Sequence, residues 1–295
     1  MAKGLIAAGL EPGETLAIMS PTRYEWALMD MAAWFASAVV VPIYETSALN
    51  QVSAILQDAS VRFAIAGTAE HAQLLEQGFT QAGVSGWQLW SMDAGAGPTL
   101  TELVHGGVDI TPEALEARRL LATLDSVATI VYTSGTTAAP KGALITHGNF
   151  VGQVRSVAGA YTEVVKESGN TIIFLPMAHV LARGLQLICL ANGMRIAHLS
   201  ETKEVVPALG LLKPTFLVVV PRVLQKIQAS AAGAAAKKNL GGLWSVAQAT
   251  AVDWGFWRRS ARAIPAVKLG SHSGFGMHSL TVCSTPASAN SWAGA

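Results

Sequence analysis

The stretch "ETLAIMSPTRYEWALMDMAAWFASAVVVPI", residues 14–43, decides what kind of fold this chain adopts. Its ends, ETLAIMS and AVVVPI, are short apolar runs of strand length. Between them RYEWALMDMAAWFA carries apolar residues at helical spacing. The rival reading is a membrane span, because the run from Trp26 to Ile43 is nearly all apolar. Asp30 interrupts that run and Pro42 closes it, whereas a span wants about 20 uninterrupted apolar residues. The reading is therefore strand, buried helix, strand. Strands apolar on both faces suit a parallel sheet covered by helices on each side.

Working outward, the same alternation continues. NQVSAILQDA reads as a helix, and RFAIAG, SVATIVYT, NTIIFLP, MRIAHL and PTFLVVVP read as strands. Strand–helix alternation predicts an α/β fold with parallel-rich sheets flanked by helices. GWQLWSMDAGAGPTL and the helical TPEALEARRLLATL fall between two such blocks, residues 1–95 and 120–259. Half the residues are hydrophobic and 13% are charged, which excludes a disordered chain. Twenty basic against nineteen acidic residues give no support for a nucleic-acid surface. Cys189 and Cys283 are too few and too far apart for a disulfide framework, which suits a reducing, cytoplasmic setting. The opening MAKGLIAAGLEPGE carries no signal-peptide pattern.

The chemistry concentrates in "IVYTSGTTAAPKGALITHGNF", residues 130–150. Two or three residues suffice to reverse a chain, and this loop offers Thr133, Ser134, Gly135, Thr136, Thr137, Lys141 and Gly142. A surface turn with solvated hydroxyls is the plain alternative. A Walker phosphate loop needs G-x-x-x-x-G-K-[ST]; here Pro140 precedes Lys141 and Gly142 follows it, so that reading fails. Hydroxyls, exposed backbone N–H groups and one lysine could instead wrap a polyphosphate in another way.

YTSGTTAAPKG closely resembles the phosphate loop of the acyl-adenylate-forming superfamily, usually written T-S-G-T-T-G-x-P-K-G. FLPMAHVLAR, residues 174–183, and RYEWALMDMAAWFASAVVVPIYETS resemble its long-chain fatty-acid–CoA ligase branch, and KPTFLVVVPRVLQKI continues the likeness. The resemblance covers roughly residues 1–255. It implies two steps: a fatty acid attacks the α-phosphorus of Mg-ATP, and CoA thiolate then displaces AMP. It assigns Thr133, Ser134, Gly135, Thr136, Thr137, Lys141 and Gly142 to the phosphates, Thr133 also to magnesium, and His179 to the neighbourhood of the acyl pocket. On its own, His179 reads as a packing histidine. Asn149 is read as a helix start. The expected partners are fatty acid, ATP and CoA, with peripheral membrane contact compatible. One position departs: Ala138 stands where the family has glycine, at a cost of ~1 kcal/mol if the backbone there needs a positive φ.

Other family features find no counterpart. No Y-G-x-T-E segment follows Arg183, and Asp253 is the only acidic residue after Glu204. A ribose-binding Asp and a C-terminal lysine are also missing, and the beginning reads as clipped. The chain is thus expected to be an incomplete piece of such an enzyme, a partial domain over residues 1–259 that does not turn over. From Ser260 the sequence loses all periodicity. Shifting the reading frame, with mostly G or C at free third positions, lets the chain from Lys268 read ARLALRLRHALFDRLLYSSLRELLGG, an amphipathic helical pattern. Residues 260–295 are therefore expected to be an out-of-frame tail that does not fold.

Overall fold

The computed structural model describes residues 1–133 and 141–262. The chain divides into two compact units, Met1–Leu217 and Val218–Ala295.

The first unit opens with α1 (Ala2–Ala7), followed by β1 (Thr15–Met19), α2 (Tyr24–Phe35) and β2 (Val39–Ile43). Next come α3 (Leu49–Asp58), β3 (Phe63–Ala66), α4 (Ala69–Ala82), β4 (Gln88–Ser91), α5 (Leu100–Gly106) and α6 (Pro112–Arg119). Then β5 (Val127–Thr133) and β6 (Lys141–Thr146) lead into α7 (His147–Ala160). The unit continues through β7 (Asn170–Ile173), α8 (Val180–Ala191), β8 (Arg195–His198), a 3-10 turn at Thr202–Glu204 and α9 (Val205–Leu212). The second unit contributes α10 (Pro221–Lys237) and α11 (Gly241–Arg262), which lie against each other.

Six strands form one sheet in the order β4-β3-β1-β2-β5-β6, and β7 and β8 form a separate parallel pair. All neighbours in the large sheet are parallel except the last, where β6 runs antiparallel to β5. Chain order runs outward from β1 in both directions, as in doubly wound sheets. Every residue of β1, β2 and β3 is buried, as a strand covered on both faces requires. The stretch tested above as a membrane span resolves into α2 and β2, and no described helix is long and apolar enough to cross a membrane.

Two cores lie on the sheet. One gathers Val52, Ile55 and Leu56 of α3 with Leu75 and Phe79 of α4 against Ala17, Val41, Ala64 and Tyr132. Gly78 allows α4 to approach α3 closely, since a Cβ there would come within 2.9 Å of Val52. The other holds α2, where Trp26, Met29 and Asp30 are buried. Threonine hydroxyls cap α4, α5, α6 and α7 at Thr68, Thr99, Thr111 and Thr146, each accepting from a backbone N–H three residues on.

Several details differ from the sequence reading. GWQLWSMDAGAGPTL, taken as an interval, contains strand β4, paired with β3 from Phe63–Gln88 to Ala66–Ser91. KGALIT, taken as loop and flank, is strand β6. PTFLVVVP forms no strand: Thr215 instead brackets Asn170, donating its N–H to the Asn170 carbonyl at 3.0 Å, while Thr171 Oγ1 donates to the Phe216 carbonyl. Asn149 is not the helix start. Thr146 caps α7, and Asn149 at the third helical position accepts the Thr146 N–H at 3.0 Å, closing a capping box. Of the expected tail, Ser260–Arg262 continue α11, and residues 263–295 lie outside the described residues.

Candidate functional site

The strands on either side of the polar loop, β5 and β6, pair antiparallel as the two arms of a hairpin. Thr133 and Lys141 are direct cross-strand partners that close it, and Tyr132 faces Gly142 one step below. Ser134, Gly135, Thr136, Thr137 and Ala138 lie outside the described residues. Lys141 is exposed at the start of β6. A parallel strand ending in a short polar loop is where open α/β sheets place their ligands, beyond the carboxyl ends of the strands.

What holds the hairpin in place is more informative than the loop itself. On one side of β5 the Tyr132 phenol, 6% exposed, donates to Asp58 Oδ2 at the end of α3, 2.5 Å away. Burial, reinforced by that carboxylate, raises the Tyr132 pKa and keeps the phenol protonated. A Cβ on Gly142 would sit 2.6 Å from Ile130 Cγ2 and 3.1 Å from the Tyr132 ring, so glycine is required here by packing across the hairpin.

On the other side sits a buried guanidinium. Arg183, the fourth residue of α8, is 0% exposed. Its Nη2 and Nε donate to the two Asp30 carboxylate oxygens at 2.6 and 3.1 Å, and its Nη1 donates to Thr129 Oγ1 at 2.6 Å. Thr129 in turn donates to the Val40 carbonyl of β2 at 2.6 Å. The rings of Trp26, Trp34 and Phe150 surround the guanidinium at 5.4–5.5 Å from their centroids, within cation–π range. Trp34 Nε1 donates to the Ala128 carbonyl of β5 at 2.8 Å. Burial pushes the Asp30 carboxyl up, and the charge and hydrogen bonds of Arg183 oppose the rise. With an obligatory cation bound bidentately, Asp30 is the carboxylate of an ion pair. Sequence reading passed over both residues. An aspartate inside an apolar helix was the available signal, because such a group needs a partner.

His179 is exposed and caps α8: its Nδ1 accepts the Leu181 N–H at 3.1 Å. It lies one helical turn before Arg183, on a helix that packs against α7. His147, at the start of α7, rests edge-on against Trp34 with centroids 5.1 Å apart. Burial, and secondarily the Arg183 charge, lower its pKa below the ordinary 6.5. A lowered folded value means that the neutral ring's contribution to stability is complete above pH 6.5. It is lost as pH falls from there through the folded value. Urea unfolding of the wild type at pH 7.5, 6.5 and 5.5 is therefore expected to fall off more steeply toward acid than that of His147→Phe. Glu45, whose pKa burial raises, acts in the opposite sense, so the difference between the two proteins is the measurement that counts. Equal slopes would remove His147 from the account. Burial also pushes the Cys189 thiol up to about 12, which leaves it a core side chain rather than a nucleophile. Among the described residues no group of three or more His, Cys, Asp or Glu could hold a metal ion.

The chain is similar to several known proteins. The Mycobacterium tuberculosis long-chain-fatty-acid–CoA ligase FadD15 is 36% identical over 254 residues, covering 86% of this chain and 42% of that protein. The human long-chain-fatty-acid–CoA ligase 1 is 27% identical over 230 residues, covering 73% of this chain and 33% of that protein. The chain therefore spans less than half the length of these relatives. Among solved structures, a long-chain-fatty-acid–CoA ligase (FadD1) from Archaeoglobus fulgidus superposes with a TM-score of 0.65 at 22% identity, over 78% of this chain and 44% of that one. The N-terminal domain of FACL13 from Mycobacterium tuberculosis does so with a TM-score of 0.62 at 23% identity, over 77% of this chain and 54% of that one. The family described as AMP-binding enzyme matches residues 1–292, and the chain belongs to that family.

Proposed function

We propose that this chain is part of a long-chain fatty-acid–CoA ligase and that the β5–β6 hairpin is its nucleotide-phosphate site. The observation that carries the reading is the coincidence of two facts. The YTSGTTAAPKG signature begins and ends on paired strand residues, with Thr133 opposite Lys141, and that strand pair ends the parallel sheet of a chain in the AMP-binding family. Thr133, Ser134, Gly135, Thr136 and Thr137 would supply hydroxyls and N–H groups to phosphate oxygens, and Lys141 a positive charge. Gly142, which faces Tyr132 across the hairpin, belongs to the same phosphate-binding set. ATP, fatty acid and CoA are the co-substrates of this reading, and His179 borders the acyl side. Magnesium fits as an ion carried mainly by the nucleotide's phosphates, with Thr133 as one protein contact, because Mg²⁺ accepts few protein ligands. When bound it would neutralise phosphate charge. Location in the cytoplasm, with contact to a membrane surface bearing fatty acids, belongs to the same proposal.

Calorimetry with ATP tests it. Lys141→Ala is expected to weaken binding by about 1.5–3 kcal/mol, the worth of a hydrogen bond to a charged group. Lys237→Ala and Lys238→Ala, exposed at the end of α10, should leave affinity unchanged. Equal small effects at all three lysines would remove the phosphate-loop assignment.

A second reading, a nucleotide-binding remnant without turnover, is favoured by a specific feature. Asp253 is the only acidic residue between Glu204 and Ala295, so that stretch offers a bound nucleotide or its metal ion almost no carboxylate. On either reading residues 1–259 would form a partial AMP-binding domain and 260–295 an out-of-frame tail. The family match, which runs to residue 292, is common to both readings. ATP–pyrophosphate exchange in the presence of fatty acids separates the two, and the coding DNA across codons 255–270 decides the tail. Adenylation of a different carboxylic acid would show as exchange with that acid alone.

A further inference from the structure

We infer that Arg183 is a positioning residue that couples the phosphate hairpin to the His179 end of α8, so that the two halves of the site move as one body. The inference rests on the phosphate-hairpin reading for its functional meaning and on geometry for its mechanics. One guanidinium carries three separate constraints. Its Nη1 bond to Thr129 Oγ1, 2.6 Å, fixes β5 four residues before Thr133. Its two bonds to Asp30 fix α8 to α2. Its contact with the Phe150 ring, 5.4 Å from the centroid, reaches α7, which continues directly from β6. Both strands of the hairpin are thereby referred to a single buried group. That group lies one turn from the residue that caps α8, with the Arg183 N–H turned toward the His179 carbonyl.

The planar fork is what makes this possible. A guanidinium can hold a carboxylate with one edge and still direct a further N–H elsewhere, whereas an ammonium acts as a point charge. Thr129 relays the constraint, accepting from Arg183 while donating to Val40 of β2. Tyr132, bound to Asp58 of α3, is a separate anchor on the hairpin. Tilting β5 therefore requires breaking a buried charge-assisted bond, and tilting the start of α8 requires breaking the same one.

The test uses the full chain and three variants. Thr129→Val removes the relay hydroxyl at nearly constant shape, Thr129→Ser restores it, and Arg183→Lys keeps the charge but loses the fork. Amide exchange is read separately over residues 127–146 and 176–186, with ATP affinity measured on protein that circular dichroism shows to be folded. Thr129→Val and Arg183→Lys should speed exchange in both segments together and weaken ATP binding by roughly tenfold, the scale of one charge-assisted bond. Thr129→Ser should return both segments and the affinity to wild-type values. A Thr129→Val protein whose exchange rises only around β5, with the start of α8 unchanged, overturns the coupling. So does unchanged ATP affinity in a folded variant, which would make Arg183 purely structural. If wild-type protein binds no ATP, or Lys141→Ala binds as wild type does, the phosphate reading fails, and the exchange data alone decide the inference.

Discussion

Asp30→Ala should be among the most damaging single substitutions, lowering stability by about 3–5 kcal/mol, because it strands a buried guanidinium without its counter-ion. The side chains of Asp30 and Arg183 are 2% and 0% exposed, so neither charge has recourse to water. Three aromatic rings around Arg183 soften the loss through their negative faces, but they cannot accept the two hydrogen bonds that the carboxylate holds. The ordinary worth of a surface ion pair, below about 1 kcal/mol, does not apply here. Urea unfolding at pH 7 provides the check. A loss under about 1 kcal/mol would mean that water reaches the guanidinium or that α2 and α8 part without cost. Replacing both residues by apolar side chains of similar volume is expected to recover much of the loss, since what hurts is the orphaned charge rather than the absence of an ion pair.

Phe79→Ala should cost a similar amount, about 3–5 kcal/mol, for a different reason. Phe79 is 0% exposed on α4 and stacks on Trp87 with centroids 5.2 Å apart and an interplanar angle of 4°. It belongs to the core under α3 and α4 that also contains Tyr132. Truncation removes the transfer free energy of a benzyl group and leaves a cavity that α4 cannot readily close, because Gly78 already brings it as near α3 as contact permits. Thermal melts of the wild type, Phe79→Leu and Phe79→Ala should order in that sequence. Leucine and alanine variants melting together would show that the space collapses and the stack contributes little.

The parallel part of the sheet was legible because its strands are buried on both faces and so announce themselves as unbroken apolar runs. Thr15–Met19, Val39–Ile43 and Phe63–Ala66 are of this kind. β4 was hidden because Gln88–Ser91 is four residues long, contains no β-branched side chain, and owes its conformation to pairing with β3. β6 was hidden because its residues are exposed or half-exposed and Lys141 and Gly142 drew it into the loop. PTFLVVVP misled in the opposite direction, since a run of β-branched residues is only a propensity until a neighbouring strand supplies a ladder. At the site, the concentration of hydroxyls, glycines and one lysine over residues 133–142 stands out in the sequence, and its assignment to phosphates is the reading proposed above. The Asp30–Arg183 pair does not stand out, because its members lie 153 positions apart and only the folded chain shows that they meet.

The position of β6 carries a consequence for how the protein behaves in concentrated solution. Among the described residues it is one of the two edge strands of the sheet, opposite β4, and Leu144 near its middle is 64% exposed. An open strand edge is a template for the next chain, and charge on it, lysine above all, is a common means of blocking sheet-to-sheet growth. Lys141 is the charged residue of that strand. The lysine that the phosphate reading assigns to ATP is thus also the guard of the edge, and a chain deprived of it loses a ligand and a safeguard against self-association together.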